Sequence, residues 1–485
     1  MTYIELHSRS AFSFLRGAST PEQLAERAAE LGLPAIALCD RNGIYGAPRL
    51  FGKAKELGIK AIVGAELVME DQSVLPVLVE SRVGYQNLCQ LLTRAHLRSE
   101  KGKATIGWDE LPEFAAGLVA LTGDEEGVVQ KLEREKRRKG ESGRLGNSPF
   151  PPFTSSPFLN DRKSSDFSAA AVVERLVSTF GPQNVFIELQ RHHLRGEELV
   201  VRNLIELAER FHLPLLATNG VLHASEAERP ILDVFTCIRN HTHLDAAGRL
   251  LAQNGERHLK TAAQMSELFR DCPEAIANTV RLAERLEFSL ENLGYEFPDY
   301  PVPSGHTMNS FLREKAFAGA RERYRHLTEI PLKVRQQIET ELALIAKLKV
   351  AGYFLIVWDI IQFCREQNIM AQGRGSAANS TVCFCLGITA VDPLKFETLF
   401  ERFLTEGRKH SWPDIDIDLP SGDRREKVLQ EIYKRYGKRG AAMTANVITF
   451  RGRSAAREVG KALNLSGDVL NRFSNFYANG DFPHT

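Results

Sequence analysis

The sequence predicts an α/β and α+β multidomain protein, with a βα barrel or open α/β sheet first and a mainly helical part after it. Three observations carry this. The chain has 485 residues, which at ~100–200 residues per domain gives two to four domains. Short β-rich runs alternate with amphipathic helices over the first ~225 residues, and after Pro230 the strands give way to helices.

In chain order, β-runs at 3–6, 34–38, 59–63, 75–79, 117–121, 185–189 and 214–218 alternate with helices, a repeated βα pattern. The first helix shows its own start and stop. Thr20 can cap it, Pro21 takes its first position, Gln23 completes a capping box and Gly32 ends it. In such sheets functional residues gather at strand C-terminal ends. Residues 134–168 read as a flexible insertion, opening on a charge run and continuing in Gly, Ser, Pro and Asn. Later, Val334, Ile338, Leu342 and Ile345 fall at helical spacing. The predicted divisions are 1–285, 286–447 and 448–485, with a Pro-rich linker near 297–303 and no internal repeat. Residues 471–485 show no clear periodicity.

Composition narrows the classes. At 43% hydrophobic and 25% charged the chain is neither fibrous nor wholly disordered. No apolar run approaches the roughly 20 residues that span a bilayer, and no secretory leader opens the chain, so a cytoplasmic protein without a membrane partner is expected. Seven scattered cysteines lacking a CxxC pair suit free thiols. The net charge of +1 hides an asymmetry: residues 421–485 hold 12 Lys/Arg against 6 Asp/Glu. That favours a polyanionic partner, although a solvated helix face has the same composition.

The sharpest motif is Pro413-Asp414-Ile415-Asp416-Ile417-Asp418-Leu419-Pro420. With period two, a strand puts the three Asp on one face and the apolar residues on the other. Aligned carboxylates repel unless a cation neutralises them, so the pattern reads as a platform for Mg²⁺ or Mn²⁺; a charged edge strand is the alternative. The second motif, Gly373-Arg374-Gly375-Ser376-Ala377-Ala378-Asn379-Ser380, leads into an apolar helix near Thr381. Its glycines let backbone N–H groups approach a phosphate and Arg374 can fork onto phosphate oxygens, while a loop with a capping Ser would look similar. A phosphate-binding turn one helix before a carboxylate strand suits metal-dependent nucleotidyl transfer.

These motifs, with Glu401-Arg402-Phe403-Leu404 and Gly352-Tyr353-Phe354-Leu355-Ile356-Val357, resemble the palm of bacterial C-family DNA polymerases, the DNA polymerase III alpha type. The variant Gly-Arg-Gly-Ser-Ala-Ala-Asn-Ser, followed by Leu386-Gly387-Ile388-Thr389-Ala390-Val391-Asp392-Pro393, is more similar to the error-prone, damage-induced branch. The resemblance implies a polymerase-beta-like nucleotidyltransferase palm and the start of a helical thumb. It assigns the catalytic metals to Asp416 and Asp418, with Asp414 as a possible third ligand. It gives the incoming nucleotide's phosphates to Gly375 and Ser376, and Gly373 and Arg374 of the same turn are expected to bind them too. DNA-backbone contacts are expected from Arg424, Arg425, Lys434, Arg435, Lys438, Arg439, Arg451 and Arg453. Primer-template DNA and dNTPs are the implied substrates, and a sliding clamp and mutagenesis accessory proteins the implied partners of the whole enzyme.

The amino-terminal part resembles the polymerase-and-histidinol-phosphatase (PHP) domain, a distorted βα barrel that holds up to three metals in its metal-binding members. His7, Asp40, Glu66 and His192 stand at matching positions. Arg9, Arg16, Arg41, Gly220 and Leu222 stand where that pattern has metal ligands, and an Arg cannot deprotonate to become one. A degenerate, poorly metallated barrel is therefore expected. The family's third catalytic carboxylate lies well downstream, whereas this chain runs 67 residues past Asp418. The 485 residues are thus expected to be an amino-terminal portion that binds DNA weakly and does not polymerise alone. Two other functions stay open: a PHP phosphoesterase, and a non-catalytic DNA-binding scaffold.

Overall fold

The β-rich runs become seven strands that hydrogen-bond in chain order: β1 (Glu5–Ser8), β2 (Ala35–Arg41), β3 (Lys60–Val68), β4 (Val74–Val79), β5 (Leu118–Leu121), β6 (Val185–Leu189) and β7 (Leu215–Ala217). The computed structural model describes residues 2–132, 168–291, 293, 299–396, 400–404, 413–444 and 446–476, without the side chains of 438 and 439. They fall into two units, Met1–Leu293 with Thr449–Thr485, and Gly294–Ile448. Most of the expected insertion at 134–168 lies outside the described residues.

In the first unit, α1 (Pro21–Glu30), α2 (Ala47–Leu57), α3 (Arg82–Arg98), α4 (Ala169–Phe180) and α5 (Glu197–Phe211) connect the strands. After β7 come α6 (Arg229–Arg239) and α7 (Pro273–Arg285). The start of α1 follows its residues: the Thr20 hydroxyl accepts from Gln23 N, and Gln23 Oε1 accepts from Thr20 N at 2.8 Å. The strands are buried on both faces, one against the connecting helices and the other against Leu282 and Ala283 of α7 and Leu286 just after it. The sheet curls until Ser8 pairs with Val221, where Val221 N donates to His7 O at 2.9 Å. This is a distorted barrel, and it is not wholly parallel. β4 runs antiparallel to both neighbours, because the turn between Val68 and Val74 is far too short for a parallel crossover.

The second unit packs α8 (Met308–Arg323), α9 (Leu332–Lys347) and α10 (Ala351–Glu366) around the short α11 (Thr381–Cys385). Val334, Ile338, Leu342 and Ile345 are all buried, as their spacing predicts. α8 and α11 cross with their backbones in contact, since a Cβ on Gly319 would lie 1.8 Å from Cys385 O. Two antiparallel strands, β8 (Gln372–Arg374) and β9 (Asp416–Asp418), form the sheet, and α12 (Asp423–Gly440) follows. The expected strand across 413–420 shrinks to three residues because β8 offers only three partners and the bracketing prolines have no N–H to donate.

The segment expected to open a separate domain at 448–485 groups with the first unit. Its helix α13 (Gly452–Ala462) buries Ala462 with Cys237 of α6, and Asn464 donates to Asp245 at 3.3 Å. Residues 467–476, part of which was expected to be irregular, form α14 (Gly467–Phe476). Its apolar residues Val469, Leu470 and Phe473 fall at helical spacing, a pattern too short to stand out in the sequence.

Candidate active site

At the barrel's strand ends, the polar side chains have paired with one another. His7 leaves β1 between two carboxylates, with Nε2 2.8 Å from Glu66 Oε1 and Nδ1 2.7 Å from Glu188 Oε1. Arg9 Nε donates to Glu66 Oε1 at 2.5 Å and Arg41 Nε to Glu66 Oε2 at 2.6 Å. The other ends of these guanidinium groups reach Asp124 and Glu126, each at 2.6 Å, and Arg257 adds a second bond to Asp124 at 2.6 Å. Arg16 stands 3.7 Å from Glu126.

Electrostatics follow from this cage. Burial pushes the Glu66 carboxyl up, but Arg41, Arg9 and His7 overcome it and hold the group well below the usual carboxylate range. Asp124 is held down likewise by Arg9 and Arg257 against its burial. For His7, burial favours the neutral ring, yet Glu188 and Glu66 push its pKa up to about 10.

The donor set does not fit a metal ion. A doubly protonated imidazole donating from both nitrogens has no lone pair to offer, and both Glu66 oxygens already accept from guanidinium groups. Asp40 sits apart, accepting from Ser10 N and from the Ser10 and Ser13 hydroxyls, with its pKa raised to about 6 by burial against those bonds. His192 instead meets Asn219 O at 2.9 Å, and burial together with the charge of Arg257 lowers its pKa to about 4. The structure thus brings His7 and Glu66 together and leaves Asp40 and His192 with other partners.

A pH dependence follows. The folded pKa of His7 lies above its ordinary value near 6.5, so its stabilisation is complete below that value and is lost as pH rises through about 10. Glu66 and Asp124 act oppositely, their contribution being lost as pH falls below the ordinary carboxylate range. Thermal melts from pH 6 to 10 should therefore show falling stability in the native chain and a flatter profile in His7→Gln.

In the second unit, β9 alternates as its sequence requires. Asp414, Asp416 and Asp418 are exposed while Ile415 is buried, and Ile417 packs on the core. Register places Arg374 opposite Asp416 and Gln372 opposite Asp418. Arg374 Nε donates to Asp418 Oδ1 at 3.0 Å, and its Nη2 lies 3.9 Å from Asp416 Oδ2. Two glycines allow this approach. A Cβ on Gly373 would lie 2.6 Å from Ile388 O, and Gly375 has φ +69° with its Cβ position 3.4 Å from Asp416 Oδ2. Ser376 lies in the short turn of residues 375–379 that follows, where Asn379 Nδ2 donates to Ser376 O at 3.0 Å.

Buried Glu341 of α9 anchors this turn from below. It accepts from the Ser380 hydroxyl at 2.7 Å and from Thr381 N and Val382 N at 2.9 Å each. Burial raises its pKa against these bonds. Glu341→Ala should cost about 2–3 kcal/mol, from the loss of hydrogen bonds to a charged group and the orphaning of two buried N–H groups. Hydrogen exchange at Thr381 and Val382 should speed up, which mass spectrometry of peptides spanning 375–385 can read.

The basic residues divide. Arg424, Arg425 and Lys434 lie exposed on α12, whereas Arg435 is engaged by Glu431 at 2.8 Å and Asp359 at 2.5 Å. Arg451 and Arg453 are exposed in the other unit, and the side chains of Lys438 and Arg439 lie outside the described residues. Sequence reasoning missed Glu188, Asp124, Arg257 and Glu341. Glu188 interrupts an apolar strand and Glu341 lies on the apolar stripe of its helix, three residues after Ile338, so both left a signal; Asp124 follows β5 at a strand C-terminal end, and Arg257 left none.

Two protein families match the chain: the PHP domain at residues 5–192 and the bacterial DNA polymerase III alpha NTPase domain at 310–482. Among curated relatives, the error-prone DNA polymerase of Mycobacterium bovis is 43% identical over 481 residues, covering 96% of this chain. Those of Brucella abortus and Rhodopseudomonas palustris are 40% and 38% identical, covering 98% and 96% of it. The chain spans 41% of the length of each of these relatives. With its motifs and both domain matches in agreement, the chain carries a PHP domain followed by a bacterial DNA polymerase III alpha domain.

Proposed function

We propose that the whole protein is an error-prone DNA-directed DNA polymerase acting in damage tolerance, and that these residues supply its PHP domain and much of its palm. The observation that carries this is the antiparallel pairing of the Gly-Arg-Gly strand with an exposed Asp-x-Asp strand, which sets Arg374 and Gly375 beside Asp416. Asp416 and Asp418, with Asp414 at the strand entrance, are solvent-open hard-oxygen donors that fit Mg²⁺ or Mn²⁺. Such an ion, when bound, would neutralise charge at the reacting oxygens. The chain's own part is positional. Arg374 is exposed and free to turn from the carboxylates toward a triphosphate, and Gly375 leaves the ground over Asp416 open. Ser376 and the turn held by Glu341 set the height of the phosphate seat.

Primer-template DNA and dNTPs are the proposed substrates, with the exposed arginines of α12 along the DNA backbone. Sliding clamp and accessory proteins are proposed partners of the whole protein. No helix among the described residues is long and apolar enough to cross a membrane, and we assign the protein to the cytoplasm. A phosphoesterase reading of the barrel gains no support from a cage whose carboxylates are already paired with arginines. The test is a chimera in which this chain replaces the matching segment of the Mycobacterium bovis relative. Template-directed primer extension with Mg²⁺ is expected; a chimera that folds and binds primer-template yet adds no nucleotide would overturn the reading.

A further inference from the structure

Behind β8, in the second unit, lies a cleft of about 190 Å³ lined by Arg323, Arg365, Ile369, Gln372, Gly387 and Thr389, among others. Arg323, at the end of α8, donates from Nε to Phe384 O at 3.0 Å and from Nη2 to Thr389 O at 2.9 Å. Its Nη1 has no partner among the described residues. Arg365, in the last turn of α10, lies over Gly387 so closely that a Cβ there would meet its Nη2 at 1.7 Å. Its guanidinium makes no ion pair or hydrogen bond among the described residues. Thr389 lines the same cleft, 1% exposed, with a hydroxyl that has no partner among the described residues.

No carboxylate among the described residues lines the cleft. Two guanidinium groups converging on one space repel each other unless an anion lies between them, and Arg323, whose burial already disfavours its charge, also feels Arg365. A buried hydroxyl without a partner is a donor awaiting an acceptor. The volume is below the roughly 300–1,000 Å³ of pockets that enclose drug-sized molecules, so a small oxyanion suits it better than a whole nucleotide. Planar guanidinium forks match phosphate oxygens in geometry. We propose that this cleft is a binding site for a phosphate-class oxyanion, held between Arg323 and Arg365 with Thr389 as a third donor. It is separate from the carboxylate face of β9, and it goes beyond the polymerase reading without depending on it. The two places are nonetheless joined, because Gly373 N donates to Ile388 O at 2.7 Å across the cleft's wall. An occupant would thus brace the strand that carries Arg374.

The experiment titrates the purified chain, free of divalent metal, with inorganic phosphate and separately with pyrophosphate, read by calorimetry and by the shift in melting temperature. Saturable binding of either is expected, and the tighter of the two identifies the source of the anion. Arg365→Gln, an exposed position whose loss leaves folding intact, should weaken binding by about tenfold or more, as removal of a charge-assisted hydrogen bond does. Thr389→Val should weaken it less, and Arg321→Gln, exposed on the same helix as Arg323, should not change it. Absence of saturable binding by both anions would overturn the proposal. So would binding that Arg365→Gln leaves intact, or that Arg321→Gln weakens equally.

Discussion

Asp416→Asn or Asp418→Asn in the chimera with the Mycobacterium bovis relative should lower nucleotide incorporation by several orders of magnitude. An amide of the same shape carries no charge, so it cannot neutralise a divalent ion or balance the cationic turn at Arg374. Both carboxylates are exposed, and surface substitutions away from special features stay within about ±0.5 kcal/mol of the native stability. The melting temperature should therefore remain near that of the native chimera, which separates lost chemistry from lost folding. Asp414→Asn should have a smaller effect, since Asp414 lies outside the paired β9 ladder. Near-normal incorporation by either main variant would remove that residue from the role.

Glu66→Ala should be the most destabilising single change in the barrel. Glu66 is fully buried and accepts from His7, Arg9 and Arg41 together, so its removal takes a carboxylate from three cations at once and leaves each with one other. Breaking a buried ion pair from one side costs about 3–5 kcal/mol, and at roughly 2–4 °C per kcal/mol for a unit of this size the melting temperature should fall by about 10 °C. Replacing Glu66, Arg9 and Arg41 together by apolar residues of similar volume should recover much of the loss, because no charge is then left unpaired. A melting temperature for Glu66→Ala within two or so degrees of native would show that the cage carries little of the stability.

Much of this fold is legible in the residues, and what is not has physical causes. The capping box at Thr20 and Gln23 and the buried stripe of α9 are local patterns, which a sequence displays directly. The antiparallel course of β4 depends on the length of one turn and on pairing partners far away in the chain, so period-two alternation is silent about it. The candidate polymerase face was readable because its chemistry is concentrated in two short motifs, and residues 414–418 expose their three Asp as the spacing requires. The barrel cage was half readable. The arginines announced that a metal centre was unsuited to those positions, but their partners Asp124 and Glu126 lie in the turn after β5 and Arg257, which also holds Asp124, in a loop far along the chain, and only the fold brings them together.

The cage also constrains the sequences open to this barrel over evolutionary time. Arg9 and Arg41 share one carboxylate and divide the rest of their charge between Asp124 and Glu126. Converting either arginine alone to a metal-ligating residue breaks two ion pairs at once before any ion has a complete set of ligands. A lineage changing these positions toward metal binding would therefore cross an intermediate with fewer buried ion pairs and no ion yet held, and the same obstacle faces an engineer who changes one position at a time. The arrangement works as a ratchet: with both arginines in place, neutral drift among apolar neighbours remains possible, while each step away from an arginine loses two ion pairs before it gains a ligand.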